Sequence, residues 1–135
     1  MSGTKTEKVR KHYDTVADTY DHHYDHRRGK KYHTHLSNHL IKALPEGGNL
    51  LDIGCGTGLF VEKYIQNGGS GTGLDISGKM VAKARLRCPD CEFIVGTGEK
   101  LPFGDGSFNA VSSVLVFSYV RDPVAMLSAV FRVLG

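Results

Sequence analysis

A carboxylate followed by three alternating glycines is the segment of this chain that is best suited to bind a cofactor. Residues 50–58 read Leu-Leu-Asp-Ile-Gly-Cys-Gly-Thr-Gly, an apolar strand that carries Asp52 and continues into glycines at 54, 56 and 58. Glycine adopts backbone conformations and close approaches that other residues resist. A strand that leads into a glycine turn at the start of a helix is typical of a site for a nucleotide-like cofactor.

The spacing of the glycines and the residues beside them indicate which kind of cofactor the turn would bind. Gly54 is expected to turn the chain out of the strand, Gly56 to let the main chain approach a ligand, and Gly58 to allow close packing of the next helix. The dinucleotide fingerprint G-x-G-x-x-G requires glycine at the position of Leu59. A carboxylate at Asp52 suits a ligand with a cationic end, such as the ammonium of an amino acid.

A second carboxylate stands at the end of the next predicted strand. Asp75 ends the segment 72–75, at the distance of about 20 residues where an acid accepts hydrogen bonds from ribose hydroxyls. The same residue equally fits a helix cap or an ordinary surface carboxylate. The order of glycine turn, helix, strand and acid favours ribose binding.

Four motifs in this order resemble the class I S-adenosylmethionine-dependent methyltransferases, particularly the small-molecule group related to ubiquinone and menaquinone methyltransferases. They are the glycine block, residues 73–77 with Met80, residues 99–108, and residues 122–123 leading to 132–134. The resemblance extends from about residue 12 to the last residue. It implies S-adenosylmethionine as the cofactor, S-adenosylhomocysteine as the product, and in-line methyl transfer to a small-molecule acceptor.

The resemblance also implies which residues contact the cofactor. Besides the amino-terminal tyrosines considered next, they are Asp52, Gly54, Cys55, Gly56, Gly58, Asp75, Ile76, Met80, Thr97, Gly98 and Glu99. Met80 equally fits a plain core position, because methionine fills gaps. Relatives commonly carry an aspartate where this chain has Thr97, whose hydroxyl accepts one hydrogen bond without charge. Cys55 is assigned no catalytic role.

The amino-terminal residues 13–21 resemble the tyrosine and aspartate segment that opens many family members. Tyr13 and Tyr20 are therefore candidates for a lid over the cofactor, with Tyr24 as a third. The alternative is a tyrosine stripe that only packs the helix down. The catalytic base is left open, with Tyr119 and His33 as candidates, because proximity and orientation can supply much of the rate.

Metal binding is not expected. His22 with His26, and His35 with His39, have the i, i+4 spacing that two ligands on one helix need, but no glutamate completes a zincin-type motif. Residues 88–91 form a single C-x-x-C without a second pair, whereas structural zinc requires four ligands.

Composition excludes several other classes. The net charge is +3, and 40% of the residues are hydrophobic. The sequence lacks a basic stripe with interleaved aromatic residues, so nucleic acid is not expected as a partner. The charged start is unlike a secretory signal, and the apolar stretch 110–120 is too short and too polar for membrane insertion. The odd number of cysteines, three, suits a reducing compartment, so a cytoplasmic protein is expected.

The hydrophobic pattern predicts an α/β layered domain preceded by two helices. The resemblance implies a Rossmann-like class I methyltransferase sheet with its strands in the order 3-2-1-4. Residues 1–48 would form a helical lid and residues 49–135 the cofactor-binding core. The predicted strands are 49–53, 72–75, 92–95 and 108–114, and the later helices are 58–67, 78–87 with Ser77 as its cap, and 123–134.

The family normally continues with further strands beyond the last predicted helix. We therefore expect a chain truncated after the fourth strand and its helix, with possible self-association through the exposed edge of strand 108–114. Two other functions are weighed: a non-catalytic S-adenosylmethionine-binding module or fragment, and a nicotinamide oxidoreductase, against which Asp52 and Leu59 argue.

Overall fold

The computed structural model describes residues 5–17, 36–113 and 121–135. The helices in these ranges are α1 (Lys5–Val16), α2 (36–43), α3 (Leu59–Gln66), α4 (Gly78–Arg87) and α5 (Pro123–Val133). The strands are β1 (Asn49–Ile53), β2 (Ser70–Asp75), β3 (Glu92–Val95) and β4 (Ala110–Ser112). Each predicted element is present, although β2 begins two residues earlier than predicted and β4 is shorter, with residue 114 outside the described residues.

The four strands form one parallel sheet in the order β3-β2-β1-β4. The predicted fold class and strand order are therefore confirmed. Asp52 on β1 is level with Gly73 on β2 and with Ser112 on β4. Because all strands are parallel, their carboxyl ends meet at one edge of the sheet, where ligands of open α/β folds bind.

Apolar side chains cover both faces of this sheet. Alternate residues of a strand point to opposite faces, so Leu51 and Ile53 pack with α5 while Leu50 packs with α2 and α3. Beneath α3 and α4, a third cluster surrounds Phe93. The two central strands are buried on both faces, which fixes their register and the position of Asp52.

Two helices begin at side-chain caps, of which Ser77 is the one that the sequence predicts. The Ser77 hydroxyl accepts a hydrogen bond from the Met80 amide over 3.2 Å at the start of α4. Asp122 accepts one from the Ala125 amide over 3.1 Å, with Pro123 in the first turn of α5. Such caps satisfy amides that the first helical turn leaves unpaired.

The end of α5 returns to the outer edge of the sheet. The Phe108 amide donates to the Val133 carbonyl, and the Gly135 amide donates to the Phe108 carbonyl, each over 2.9 Å. This parallel bridge between Phe108 and Leu134 lies just before β4. The solvent side of α5 exposes Val124, Leu127 and Phe131, the last by 84%. None of the helices in the described ranges is long and apolar enough to cross a membrane.

Candidate functional site

The glycine turn folds back onto the end of β2. Gly54, Gly56 and Gly58 all have positive φ, at 78°, 55° and 84°, so the turn requires glycine at these positions. The amides of Gly54 and Cys55 donate to the Leu74 carbonyl over 2.7 and 3.0 Å. The Gly56 amide donates to Asp75 Oδ2 over 2.9 Å. Three successive amides of the turn are thus bonded within the protein.

Asp75 is the acceptor that connects this turn to α4. Besides the Gly56 amide, it accepts the Ser77 amide at Oδ1 over 3.0 Å. An ionised carboxylate has about four acceptor positions, so these two bonds do not exhaust its capacity to accept. Burial raises the pKa of Asp75, and the nearby Asp14 adds to this, while backbone hydrogen bonds oppose it. Ser77 caps α4, so Asp75 is not the helix cap that the sequence left open.

Two glycines allow the close packing beneath the turn. A Cβ atom at Gly73 would lie 2.5 Å from Phe93 Cδ1 and 2.8 Å from Cys55 Cβ. At Gly58, a Cβ atom would lie 3.2 Å from both Ala84 Cβ and Phe93 Cζ. Gly58 therefore permits close packing as predicted, but its neighbours belong to α4 and β3 and not to the helix that follows it.

Asp52 is buried, with an exposed fraction of 4%. Ser112 Oγ donates a hydrogen bond to Asp52 Oδ1 over 2.8 Å from the neighbouring strand. Burial raises the pKa of Asp52 to about 7, with a smaller contribution from Asp75, and the Ser112 hydrogen bond opposes the rise. Burial also raises the pKa of the Cys55 thiol, which argues against a reactive thiolate there.

The other predicted cofactor contacts have protein partners of their own. Met80 is completely buried, as a core residue would be. Ile76 is half-buried and its carbonyl accepts a hydrogen bond from Arg10. Glu99 Oε1 accepts the amides of Arg121 and Asp122 over 2.7 and 3.1 Å, so this side chain orients the entry to α5.

Thr97 and Gly98 are half-buried and follow β3, next to the strand that carries Asp75. A Cβ atom at Gly98 would lie 2.9 Å from Ile53 Cγ2 and 3.2 Å from Met126 Sδ, so the backbone comes close to the core here. Tyr13 is half-buried on α1, with its ring edge-on to His12 at 5.3 Å.

Several predicted positions lie outside the described residues. They are the lid candidates Tyr20 and Tyr24, the base candidates His33 and Tyr119, and the histidines at 22, 26 and 35. Across the described ranges, no group of three or more His, Cys, Asp or Glu side chains is placed to hold a metal ion. Cys88 and Cys91 are free thiols, and burial raises the pKa of Cys88 to about 11.

Sequence reasoning missed three residues that support the site: Arg10, Asp14 and Ser112. Arg10 and Asp14 bond from α1 to residues 76 and 77, and Ser112 bonds to Asp52. A serine within an apolar strand was the available signal for Ser112. Its partner, however, depends on the pairing of β4 with β1, which no local pattern specifies.

Residues 51–135 match a protein family described as a methyltransferase domain. The chain belongs to this methyltransferase family. The fold neighbours agree: a SAM-dependent methyltransferase from Thermotoga maritima superposes with a TM-score of 0.75 at 26% identity, over 91% of this chain and 55% of that one. The predicted family, the Rossmann-like fold and S-adenosylmethionine as the cofactor of the family are therefore confirmed.

Two relatives with named activities match part of this chain. A demethylmenaquinone methyltransferase from Renibacterium salmoninarum is 37% identical over 93 residues, which are 69% of this chain and 39% of that protein. A malonyl-[acyl-carrier protein] O-methyltransferase from Serratia marcescens is 34% identical over 64% of this chain and 34% of its own length. The chain thus spans well under two thirds of the length of these relatives.

Proposed function

We propose that this chain binds S-adenosylmethionine and forms the cofactor-binding part of a methyltransferase that acts on a small-molecule acceptor by in-line methyl transfer. The names of the relatives from Renibacterium and Serratia, which refer to demethylmenaquinone and malonyl-[acyl-carrier protein], support an acceptor of this kind. The electrostatics of the glycine turn support the choice of cofactor.

The observation that carries the proposal is the bonding of the turn amides. A dinucleotide pyrophosphate is held by free amides of a glycine turn at a helix start. Here the amides of Gly54, Cys55 and Gly56 donate to Leu74 and Asp75 instead. A pyrophosphate that used these three amides would have to displace their bonds, and at the turn it would meet the carboxylates of Asp52 and Asp75. A cofactor without phosphate and with a cationic amino-acid end avoids both costs.

The proposed placement follows the two carboxylates. Asp52 would face the ammonium of the methionyl end beside the turn, and the remaining acceptor capacity of Asp75 would serve the ribose hydroxyls. Thr97 and the Gly98 backbone would contact adenine next to them. Tyr13 and Tyr20 would close over the cofactor from the segment 1–48, which we propose to be the lid of the core 49–135.

Methyl transfer from this cofactor requires few catalytic groups of the protein. The cofactor supplies an electrophilic methyl group on a sulfonium, and the protein has to align an acceptor atom and exclude water. Orientation of two reactants can contribute on the order of 7–11 kcal/mol to such a step. Asp52 is a buried carboxylate near the proposed cofactor, and its charged form would favour a bound cation. Tyr119 and His33 remain the candidates for a base that deprotonates the acceptor.

Calorimetry with the purified chain tests this proposal. We expect binding of S-adenosylhomocysteine and S-adenosylmethionine, and no comparable heat with NADH. Tighter binding of NADH would overturn the proposal in favour of an oxidoreductase. Transfer of the methyl group from labelled cofactor to a quinol or carboxylate acceptor then tests catalysis. Cofactor binding without transfer to any acceptor would favour the non-catalytic binding module.

We also propose self-association through the outer edge of the strand predicted at 108–114. The Ala110–Ser112 strand pairs with β1 on one side, and only the bridge at Phe108 occupies its other side among the described residues. The helix that returns to this edge exposes Phe131 by 84%. A dimer in sedimentation at tens of micromolar that Phe131→Lys weakens would support this; a wild-type monomer would contradict it.

A cytoplasmic location and a lack of nucleic-acid partners complete the proposal. The three cysteines are free thiols, which suits a reducing compartment. Cell fractionation with an antibody to the chain tests the location, and a gel-shift assay at physiological salt tests nucleic-acid binding. Recovery in the membrane fraction or a salt-resistant shift would contradict the corresponding part.

A further inference from the structure

Helix α1 is bonded to the two residues that follow Asp75. Arg10 Nε donates a hydrogen bond to the Ile76 carbonyl over 3.0 Å. The Ser77 hydroxyl donates to Asp14 Oδ1. The same carboxylate oxygen also lies 3.5 Å from the Lys79 amide nitrogen, near the start of α4. Two side chains one helical turn apart on α1 thus hold the segment that joins β2 to α4.

Ser77 connects Asp14 both to the start of α4 and to Asp75. A hydroxyl has one proton to donate and two lone pairs to accept with. Because its proton goes to Asp14, a lone pair is left for the Met80 amide, 3.2 Å away. The Ser77 backbone amide donates in turn to Asp75 Oδ1 over 3.0 Å. The side chain has no exposed surface, so water does not replace a lost partner without rearrangement.

The line of hydrogen bonds ends at the glycine turn. Asp75 Oδ2 accepts the Gly56 amide, so Asp14, Ser77, Asp75 and Gly56 are connected in series from α1 to the turn that precedes α3. Each of these bonds is partly buried, and the first joins residues 63 positions apart. A shift of α1 would therefore move the carboxylate that we assign to the ribose.

We propose that Asp14 is a positioning residue for the cofactor site, acting through Ser77 to fix the Asp75 carboxylate, with Arg10 supporting the same segment through Ile76. The effect on cofactor binding rests on the proposed function, whereas the hydrogen-bonded connection itself does not. Coupling between sites is reciprocal. A ligand on Asp75 should therefore also stabilise the docking of α1.

Four variants test this role. Asp14→Ala removes the acceptor of the Ser77 proton, while Asp14→Asn keeps an acceptor oxygen and should rescue the function. Arg10→Gln removes the guanidinium and leaves Asp14 intact. Thr15→Ala is the matched control, because Thr15 lies next to Asp14 on α1 and its exposed hydroxyl donates to the Lys11 carbonyl within the helix.

Amide hydrogen exchange of the cofactor-free protein is the first measurement. We expect the Ser77, Met80 and Gly56 amides to exchange about tenfold faster in Asp14→Ala, and within about threefold of wild type in Asp14→Asn and Thr15→Ala. The second is the dissociation constant of S-adenosylhomocysteine, which should rise about tenfold in Asp14→Ala and less in Asp14→Asn. In wild type, the bound ligand should slow exchange in α1.

Each failure has a distinct meaning. Wild-type exchange rates at Gly56 and Ser77 in Asp14→Ala would overturn the positioning role, and so would faster exchange with an unchanged dissociation constant. Asp14→Asn behaving like Asp14→Ala would show that the acceptor oxygen is not what matters. If Asp14→Ala does not fold, wild-type exchange at Ser77 in Arg10→Gln overturns the proposal. Absence of ligand binding to wild type would instead refute the proposed function.

Discussion

Ser112 Oγ donates a hydrogen bond to Asp52 Oδ1 over 2.8 Å, across the pair formed by β4 and β1. The two residues are directly opposite in the parallel register, so their side chains share one face of the sheet. Asp52 is buried, and the hydroxyl stabilises its charged form against the cost of burial. A residue on the fourth strand therefore influences the charge of a carboxylate in the proposed cofactor site.

The affinity for the cofactor should depend on pH through Asp52. Because the pKa of Asp52 is raised to about 7, the carboxylate becomes charged as the pH rises through neutrality. Calorimetry should show S-adenosylhomocysteine binding tighten from pH 6 to 7.5, below the range of about 7.7–8.0 where an α-amino group loses its proton. Ser112→Ala should raise the pKa further and weaken binding at pH 7, with recovery at higher pH.

Ser107→Ala is the control for this experiment, since the exposed Ser107 hydroxyl donates to the Gly104 carbonyl away from Asp52. Its pH profile should match that of wild type. A pH-independent dissociation constant, or Ser112→Ala with the wild-type profile, would show that Asp52 does not bind the cationic end of the ligand.

Ionisation of the buried Asp52 should lower the free energy of unfolding at neutral pH. Its pKa is about 7 in the folded protein against an ordinary value of 3.8, so between these values the folded state keeps a proton that the unfolded state loses. The free energy of unfolding should therefore fall as the pH rises through this window, with an upper limit of about 4 kcal/mol from this group. Asp75, whose pKa is also raised, adds in the same direction.

Asp52→Asn removes this contribution while keeping an acceptor for Ser112. Urea unfolding should show the variant more stable than wild type at pH 8, with little difference at pH 4, and ligand binding should be weaker. A variant that is equally stable or less stable than wild type at pH 8 would contradict the assigned pKa.

Replacement of Asp75 should affect both the turn and the ligand. Asp75→Ala leaves the Gly56 and Ser77 amides without their acceptor, which should cost about 1–3 kcal/mol of stability for each amide that stays unpaired. Loss of the ribose contact should weaken S-adenosylhomocysteine binding by a few kcal/mol, on the order of 1–3 for each lost partner. Thermal unfolding and calorimetry separate the two effects.

Asp105→Ala is the matched control, because Asp105 is a carboxylate with an 83% exposed side chain, paired with Arg132 at the surface. Its effect on stability should stay below about 1 kcal/mol. If Asp75→Ala lowers stability but leaves the dissociation constant unchanged, Asp75 is a structural residue only.

The glycine at position 73 should be intolerant of a side chain. In Gly73→Ala the new Cβ atom would lie 2.5 Å from Phe93 Cδ1 and 2.8 Å from Cys55 Cβ, so the strand or the turn must move. We expect a loss of about 1–3 kcal/mol in urea unfolding. Gly78→Ala is the comparison: nothing lies within 4 Å of its Cβ position, and it should stabilise by about 0.4–1 kcal/mol. Equal effects of the two substitutions would contradict the packing.

Local patterns predicted most of the fold. The apolar segment before Gly54, the cap at Ser77 and Pro123 at the start of α5 are signals contained in a few neighbouring residues. They gave the positions of the elements from β1 onwards to within about two residues, a margin that is usual for element ends. The alternation of strands and helices predicted the α/β class, and the order β3-β2-β1-β4 followed from the family resemblance.

The boundaries of β4 were less well predicted, for a physical reason. Phe108 is apolar and buried like a strand residue, but its backbone bonds to Val133 and Gly135 and not to β1. The sequence of a short apolar segment does not show which part of the chain its backbone pairs with. Only the folded chain shows that Phe108 contacts the end of α5 while Ala110 begins the strand.

The sequence by itself determined that two carboxylates and a glycine turn would meet at the carboxyl edge of a parallel sheet, because strand order and residue type suffice for that. Tertiary structure decided how they are used. It directs three turn amides to β2, pairs Ser112 with Asp52, and bonds Asp14 to Ser77 across 63 residues. Hydrogen bonds between distant residues depend on distances of a few tenths of an ångström, which packing sets and local sequence does not.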